Sequence, residues 1–525
     1  MKKSSILAIF FLGLVGLADA SYLTWEHYAK VLPPCSTNWW VDCGKVLTSP
    51  QSVLFGLPVA VWGVVQYLGI IMVTGLLFQS WRQKVSWVLV AQATLGLLFS
   101  LYFVGLQLFV IQAICLYCML SALICTVIFA LTMWLIKDKR EMVLWMMSLK
   151  YQVLKRLFFL INPEIIHELM VNVGEFTGKL PVLPSLLRLF FNPTYPQLSQ
   201  ELAGVKLHTP IGLAAGFDYQ AKLTGVLHAF GFGFQTVGTI SNMPCEGNAS
   251  PRLGRLPQSK SLLVNKGFRN PGIQAVTEKL ANISFHNAVG ISIGQTNTPE
   301  LKTRDAVLND IISAFKHAEA SNVQHAYYEL NISCPNLQSS INFYNPEELD
   351  VLLAKVDALQ LSRPVFVKMP ISESDETVIA LMEVITKHSP VGIIIGNLQK
   401  NRQDPSVVPS EREGLGKGNL SGKPTFERSN HLIALAYRKF QKKLIVIGCG
   451  GIFSADDAYL KITLGASALQ LITGMVFEGP QLIAQINAGL VQRLQKDGYT
   501  HLRDAVGSQT MSYLKNALTK KTLST

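Results

Sequence analysis

Two thiols stand three residues apart at Cys115-Leu116-Tyr117-Cys118, and two more, Cys35 and Cys43, have seven residues between them. A Cys-x-x-Cys at a helix N-terminus gains from the helix dipole, which lowers the pKa of its first thiol and makes the pair a reversible redox couple. A second kind of chemistry is written far along the chain in glycine. Gly448-Cys449-Gly450-Gly451-Ile452 and Thr473-Gly474 are runs whose backbone N–H groups can close on a phosphate, helped by a helix N-terminus. Other short polar runs punctuate apolar stretches there: Ala215-Gly216-Phe217-Asp218, Gly238-Thr239, Asn265-Lys266-Gly267-Phe268 and Asn331-Ile332-Ser333-Cys334-Pro335-Asn336. Val367-Lys368, Asn397 and Leu420-Ser421-Gly422 continue the series. No Cys/His spacing suits zinc, and no metal is expected. Cys125, in the middle of an apolar run, reads as a small hydrophobe.

The elements that must position these groups differ between the two halves of the 525 residues. Charge is sparse from Ile6 to Ile136 and ordinary beyond Lys137. Four apolar stretches approach or exceed the ~20 residues needed to cross a bilayer: Ser5 to Thr24, Val53 to Phe78, Val85 to Val110 and Ala113 to Ile136. The first reads as a retained helix, not a cleaved signal, because its apolar run is long and three more spans follow. Lys2 and Lys3, Arg82 and Lys84, and Lys137, Lys139 and Arg140 all fall on one side of this arrangement, which the positive-inside rule makes cytoplasmic. The loop from Tyr22 to Pro50 and the turn near Gln112 then face outward. Cys35, Cys43, Cys115 and Cys118 converge on that outer face, where disulfides persist. The net charge of +12 is explained by a membrane surface, and nucleic acid is not an expected partner.

Residues 5 to 136 resemble the vitamin K epoxide reductase family. The resemblance rests on Ala18-Asp19-Ala20-Ser21-Tyr22-Leu23-Thr24, Cys35 and Cys43, Val46-Leu47-Thr48-Ser49-Pro50, Phe55-Gly56-Leu57-Pro58 and the Cys-Leu-Tyr-Cys motif. It implies a route in which a periplasmic, thioredoxin-like dithiol protein exchanges with a Cys35/Cys43 pair. That pair passes electrons to Cys115 and Cys118, which reduce a quinone among the helices. Ser49 is implicated in positioning the loop or the quinone oxygen.

Between Met142 and Asn192, apolar clusters alternate with Lys150, Lys155, Arg156 and Arg188, and prolines at 163, 181, 184 and 193 break the segment into short helices. Basic amphipathic pieces of this kind lie in the membrane interface. Beyond residue 205, eight β-rich runs alternate with helical patterns: Gly212 to Ala215, Phe234 to Ile240, Ala288 to Ile293, Tyr327 to Ser333, Pro364 to Met369, Val391 to Asn397, Leu444 to Gly448 and Ala468 to Thr473. Eight such units predict a (β/α)8 TIM barrel with its site at the C-terminal strand ends, where the polar runs fall, and a phosphate position after strands seven and eight. The expected division is 1–140 for the membrane bundle, 141–200 for the amphipathic segment, 201–500 for the barrel and 501–525 for a tail.

Residues 160 to 495 are similar to dihydroorotate dehydrogenases, most specifically through Asn-Ile-Ser-Cys-Pro-Asn. Asn162-Pro163-Glu164-Ile165-Ile166-His167-Glu168 resembles the start of the quinone-entrance helices of the class 2, quinone-using enzymes. The resemblance implies FMN held by Ala215, Gly216, Thr239, Ser292, Asn331, Lys368, Gly396, Gly422, Gly450, Gly451, Ile472, Thr473 and Gly474, with Lys368 beside the flavin N1 and O2. It implies a dihydroorotate site made by Tyr219, Asn265, Lys266, Gly267, Phe268, Asn331, Asn336 and Asn397, whose amides suit a planar pyrimidine. Cys334 would take the C5 proton as hydride leaves C6, with a reference thiol pKa near ~8.5. Tyr219 stands where the family's Gly-x-Asp-Lys carries a lysine for the substrate carboxylate, and Lys222, three residues on, is the candidate to stand in for it.

The expected enzyme is thus an inner-membrane protein that oxidises dihydroorotate to orotate with quinone as acceptor, joined to a thiol-oxidising module. The barrel lies on the cytoplasmic side and the redox cysteines outside. Two other readings stay open on sequence alone: a flavin barrel acting on another planar substrate, and a silent barrel attached to the thiol module.

Overall fold

The computed structural model describes the chain except residues 1, 32–34, 36–39, 79–81, 137–139, 181, 338–340, 442 and 523–525. Lys137, Lys139 and Pro181 therefore lie outside the described residues. The chain forms two compact units, 1–140 and 141–525.

The first unit is built on four long helices: α1 (Lys2–Ala29), α2 (Val59–Phe78), α3 (Arg82–Leu106) and α4 (Leu116–Ile136). Among the described residues, four helices are long and apolar enough to cross a membrane. Their long apolar runs pair backbone groups within the helix, as a bilayer demands, and Asp19 and Glu26 are the acidic residues carried within α1. Two expected boundaries move. Helix α1 continues through Tyr22 to Ala29, so its 28 residues rise about 42 Å and the outer loop begins later. The second span starts at Val59, because Val53–Leu54 and Leu57–Pro58 pair as a small hairpin. Its turn holds Phe55 and Gly56 at positive φ. Gly16 lets the ring of Tyr67 lie against α1, where any Cβ would collide with it.

The second unit begins with α5 (Arg140–Leu160), α6 (Pro163–Lys179) and α7 (Leu183–Phe191). The first is a single helix of 21 residues, longer than the short helices expected, because no proline precedes Pro163 in this segment. Asn162 caps α6 by accepting from the Glu164 N–H, and Pro163 takes the first turn, where no donor is needed. Eight parallel strands follow: β1 (Ile211–Leu213), β2 (Phe234–Ile240), β3 (Ala288–Ile293), β4 (Tyr327–Asn331), β5 (Val365–Lys368), β6 (Gly392–Ile395), β7 (Ile445–Cys449) and β8 (Ala468–Leu471). They close in sequence order into a barrel, all eight runs expected from the sequence being present. The outward residues of the strands, such as Tyr328, Leu330, Val367 and Ile393, bury against the surrounding helices. A hairpin, Gln200–Leu202 with Val205–Leu207, plugs the N-terminal end, where Val205 and Leu207 pack with Phe234, Tyr327 and Phe366. The C-terminal end stays open and is flanked by an antiparallel excursion of Leu253–Leu256, Ser261–Val264 and Asn419–Leu420.

Candidate functional site

In the membrane unit the four expected cysteines are gathered in one place. Cys35 and Cys43 form a disulfide with Cα atoms 5.7 Å apart. Both pack with Val46, Ala113 and the fully buried Cys115, while Tyr117 and Cys118 lie against the same cluster. What draws the loop to α4 is backbone pairing: Val41 bridges Ile114, Asp42 donates its N–H to Ile114 O at 3.1 Å, and Ile114 donates to Trp40 O at 2.8 Å. Asp42 also caps the short helix Cys43–Leu47, so Cys43 stands at its first position. Cys115 immediately precedes α4; its N–H is taken by the buried Gln107 Oε1 at 2.8 Å, and its sulfur accepts the Cys118 N–H at 3.5 Å. Gln107 reaches it because the helix before it ends in a π-helical turn, Gln107–Ile111, closed by Gln112 in the left-handed region. The Ser49 hydroxyl donates to Val46 O at 2.7 Å, which makes it a loop-shaping group.

In the second unit a cavity of about 500 Å³ opens at the C-terminal ends of the strands. Of the residues singled out from sequence, Ala215, Gly216, Tyr219, Thr239, Lys266, Gly267, Phe268, Asn331, Cys334, Asn336, Lys368, Gly396, Asn397, Gly422, Gly450, Gly451, Ile472, Thr473 and Gly474 line it. Ser292 and Asn265 do not. Ser292 is fully buried beneath Thr239, their hydroxyls 3.0 Å apart, and Asn265 accepts from Asn248 at 2.9 Å. The outer walls come from α5 and α6, which present Tyr151, Phe158, Phe159, Ile166, Met170 and Val173. These helices are fastened to the barrel: Tyr151 donates to Val476 O at 2.8 Å, Glu164 pairs with Arg252 at 3.2 Å, and His167 Nε2 meets Phe217 O at 2.9 Å. Burial holds His167 near 3, so it is neutral.

The cavity floor is a hydrogen-bonded chain. Asn397 donates to Ser333 Oγ at 2.7 Å, Ser333 to Asn331 Oδ1 at 3.0 Å, and Asn331 to Thr239 Oγ1 at 2.7 Å. Lys368 pairs at 3.5 Å with Glu329, a wholly buried carboxylate that sequence reading passed over. Alternation along β4 was the available signal, since an inward Asn331 puts Glu329 inward too. Asn336 is fixed from three sides: it donates to Val264 O, accepts from Asn419 and offers its carbonyl to Asn248. Cys334 borders both this cavity and a neighbouring one of about 180 Å³. Burial pushes its thiol up to about 12, with Lys368 only partly opposing that, so the ordinary value expected from sequence does not hold.

At one side of the mouth the geometry overturns an expectation. Lys222 does not reach the cavity; it donates to Asn172 on α6 at 2.8 Å, its backbone tied by Asp218, which takes the N–H groups of Lys222 and Leu223. The cations lining the cavity there are Arg269, paired with Glu168, and Lys266, whose ammonium lies 4.7 Å from the centroid of the Tyr219 ring. Among the described residues no carboxylate stands within ion-pair distance of it, and burial brings it down to about 7. At the opposite side, Ser421 and Thr473 hydroxyls meet at 2.8 Å beside Gly450 and Gly451. Both glycines have positive φ, and a Cβ on Gly451 would stand 2.5 Å from that of Phe426. Only glycine fits this turn.

Comparison with known proteins finds a family for each part of the chain. Residues 197–494 match the model of the dihydroorotate dehydrogenase family, and residues 7–133 that of the vitamin K epoxide reductase family. The chain is 35% identical to a dihydroorotate dehydrogenase (quinone) of Mycobacterium marinum over 68% of its own length and 97% of that protein. It is 33% identical to one from Roseiflexus sp., over 69% and 99%. A crystal structure of DHODH from Eimeria tenella in complex with ferulenol superposes with a TM-score of 0.57 at 25% identity, covering 66% of this chain and 95% of that one. The chain therefore belongs to the dihydroorotate dehydrogenase family, and it carries at its N-terminus a membrane domain of the vitamin K epoxide reductase family, oxidoreductases both.

Proposed function

We propose that the barrel oxidises dihydroorotate to orotate with FMN and passes the electrons to a membrane quinone, and that the membrane unit oxidises an outer dithiol protein at the expense of the same quinone pool. The observation that carries the barrel reading is the continuity of its cavity, which runs from Lys368, Asn331, Asn397 and Cys334 to the apolar walls of α5 and α6. One end suits a polar, planar substrate and the other a prenylated ring.

The residues present fit FMN. The turn at Gly450 and Gly451 with Thr473 suits its phosphate, and Lys368 supplies a fixed positive charge for its pyrimidine end. When bound, FMN accepts the hydride. Asn331 and Asn397 orient the substrate ring, and Cys334 takes the proton of the substrate carbon above it. Lys266 receives the carboxylate, with Tyr219 beneath it holding the ammonium in place. In the membrane unit, the Cys115 and Cys118 dithiol gives two electrons and two protons to the quinone and closes to a disulfide. The outer dithiol protein reduces the Cys35–Cys43 disulfide, and the resulting Cys35/Cys43 dithiol reopens Cys115–Cys118 by exchange, itself closing back to a disulfide. The distribution of Lys and Arg supports an inner-membrane protein with the barrel on the cytoplasmic side and the cysteines outside. In this reading residues 141–200 are the amphipathic segment, 201–500 the barrel and 501–525 the C-terminal tail.

One experiment addresses the barrel reading. Protein purified gently in detergent should be yellow, and dihydroorotate added without air should bleach it. Colour that bleaches only with another planar substrate would replace the substrate, and protein that stays colourless with added FMN would end the flavin assignment.

A further inference from the structure

We infer that Glu329 is a positioning residue of the barrel site: it fixes the Lys368 ammonium and sets the direction of the hydrogen-bond chain that orients Asn331 and Asn397. Glu329 lies on β4 between Tyr327, which faces the plug, and Asn331, which faces the mouth, and it is wholly shielded from solvent. A carboxylate cannot be buried there as an unpaired ion. Every group that reaches it is a donor. Lys368 Nζ stands 3.5 Å from Oε1, Ser292 donates to Oε1 at 2.9 Å, and Gln470 Nε2 lies 3.5 Å from Oε2. Gln470 donates on its other side to Thr236 at 3.0 Å. Such a donor-only shell suits an ionised acid.

The direction of the chain follows from that acceptor. Ser292 spends its hydrogen on Glu329, so at the 3.0 Å contact between the two hydroxyls Thr239 must be the donor to Ser292. Thr239, with its hydrogen so used, can only accept from Asn331, as it does at 2.7 Å. Asn331 Oδ1 then accepts from Ser333, and Ser333 accepts from Asn397. Five hydrogens point one way, from the cavity floor down to a single carboxylate. A neutral amide in place of Glu329 removes the charge that polarises this chain and leaves the Lys368 field uncompensated.

The inference rests on the FMN reading for its sharpest test, since the group that would feel Lys368 is the flavin. Sulfite adds to the N5 of oxidised flavin: the sulfur lone pair forms the N–S bond, and the displaced electron pair becomes negative charge at the N1 and O2 end. Removing a buried negative charge near that end should favour the adduct. In the full-length protein, Glu329→Gln should lower the sulfite Kd on the order of tenfold, read from loss of flavin absorbance, and move the flavin midpoint potential upward. Glu329→Asp should restore values near wild type. A sulfite Kd within twofold of wild type, with flavin bound, overturns the inference while leaving the FMN reading intact.

A second arm needs no flavin. Lys368→Met strands the buried carboxylate and should lower the melting temperature, whereas Lys368→Met with Glu329→Gln should recover most of the loss. A double variant no more stable than Lys368→Met overturns the pairing, whether or not the protein is yellow.

Discussion

In the membrane unit the hydroxyls of Thr24, Thr74, Thr94 and Thr126 each donate to the carbonyl four residues earlier in the same helix. At the barrel mouth, Thr239, Ser292 and Ser333 instead bond side chains from other strands and loops, 37 to 92 residues away where the chain passes through Glu329 and Asn331. The contrast follows the solvent each unit expects. A bilayer offers no partner for a polar side chain, so these threonine hydroxyls close on their own helix, Gln66 and Tyr67 reach Gln92 and Ser121 of neighbouring helices, and the reactive atoms are sulfurs, which tolerate apolar surroundings. A closed barrel can afford a buried polar network, provided every member has a partner. The thiol centre is therefore governed by covalent pairing and proximity, and the barrel centre by charge and hydrogen-bond direction.

The largest test of this contrast is Cys118→Ala. Dithiol oxidation should stop outright, while quinone reduction driven by dihydroorotate continues near its original rate. Loss of flavin reoxidation by quinone in this variant would show that the two centres form one relay, and the contrast would lose its functional meaning. Next comes Cys334→Ala, which should slow flavin reduction by roughly 10²-fold or more, with FMN retained and disulfide formation spared. Because burial holds the thiol near 12, its thiolate is a minor species at neutral pH. Wild-type flavin reduction at saturating substrate should thus climb about tenfold per pH unit through neutrality, until another step limits it. A plateau beginning near pH 8.5 would mean that the site does not shield the thiol.

A smaller effect is expected at Lys266. Its ammonium is charged below about 7 and neutral above, so the orotate Kd, read from the flavin spectrum, should rise by roughly tenfold per unit above that value. Lys266→Arg should remove the dependence, since a guanidinium does not titrate in this range. A flat wild-type profile would take the carboxylate away from Lys266. Smallest of all, Thr126→Val should change the melting temperature in detergent by no more than about 0.5 kcal/mol allows, because its bond only duplicates what the helix backbone already satisfies. A larger loss would show that local hydroxyl bonds in the membrane unit are as consequential as the network in the barrel.

Periodicity and composition alone determined the four spans, the eight strands and the polar runs at the strand ends, since an apolar run of sufficient length or an alternating one has few other ways to bury itself. The Cys-x-x-Cys and the glycine turn were legible for the same reason: their chemistry is local to a few consecutive residues. Three matters were decided only by tertiary structure. The loop carrying Cys43 is drawn to Cys115 by a bridge between Val41 and Ile114, 73 positions apart in the numbering, which no local pattern announces. Lys266, not Lys222, supplies the cation beside Tyr219, because Asp218 turns the chain and directs Lys222 toward α6. Glu329 meets Lys368 only when β4 and β5 pair in register, and it meets Gln470 of β8 only when the eight strands close on one another. Local sequence sets which face of a strand a residue occupies, whereas the partner across the barrel depends on register and closure, which are properties of the whole sheet.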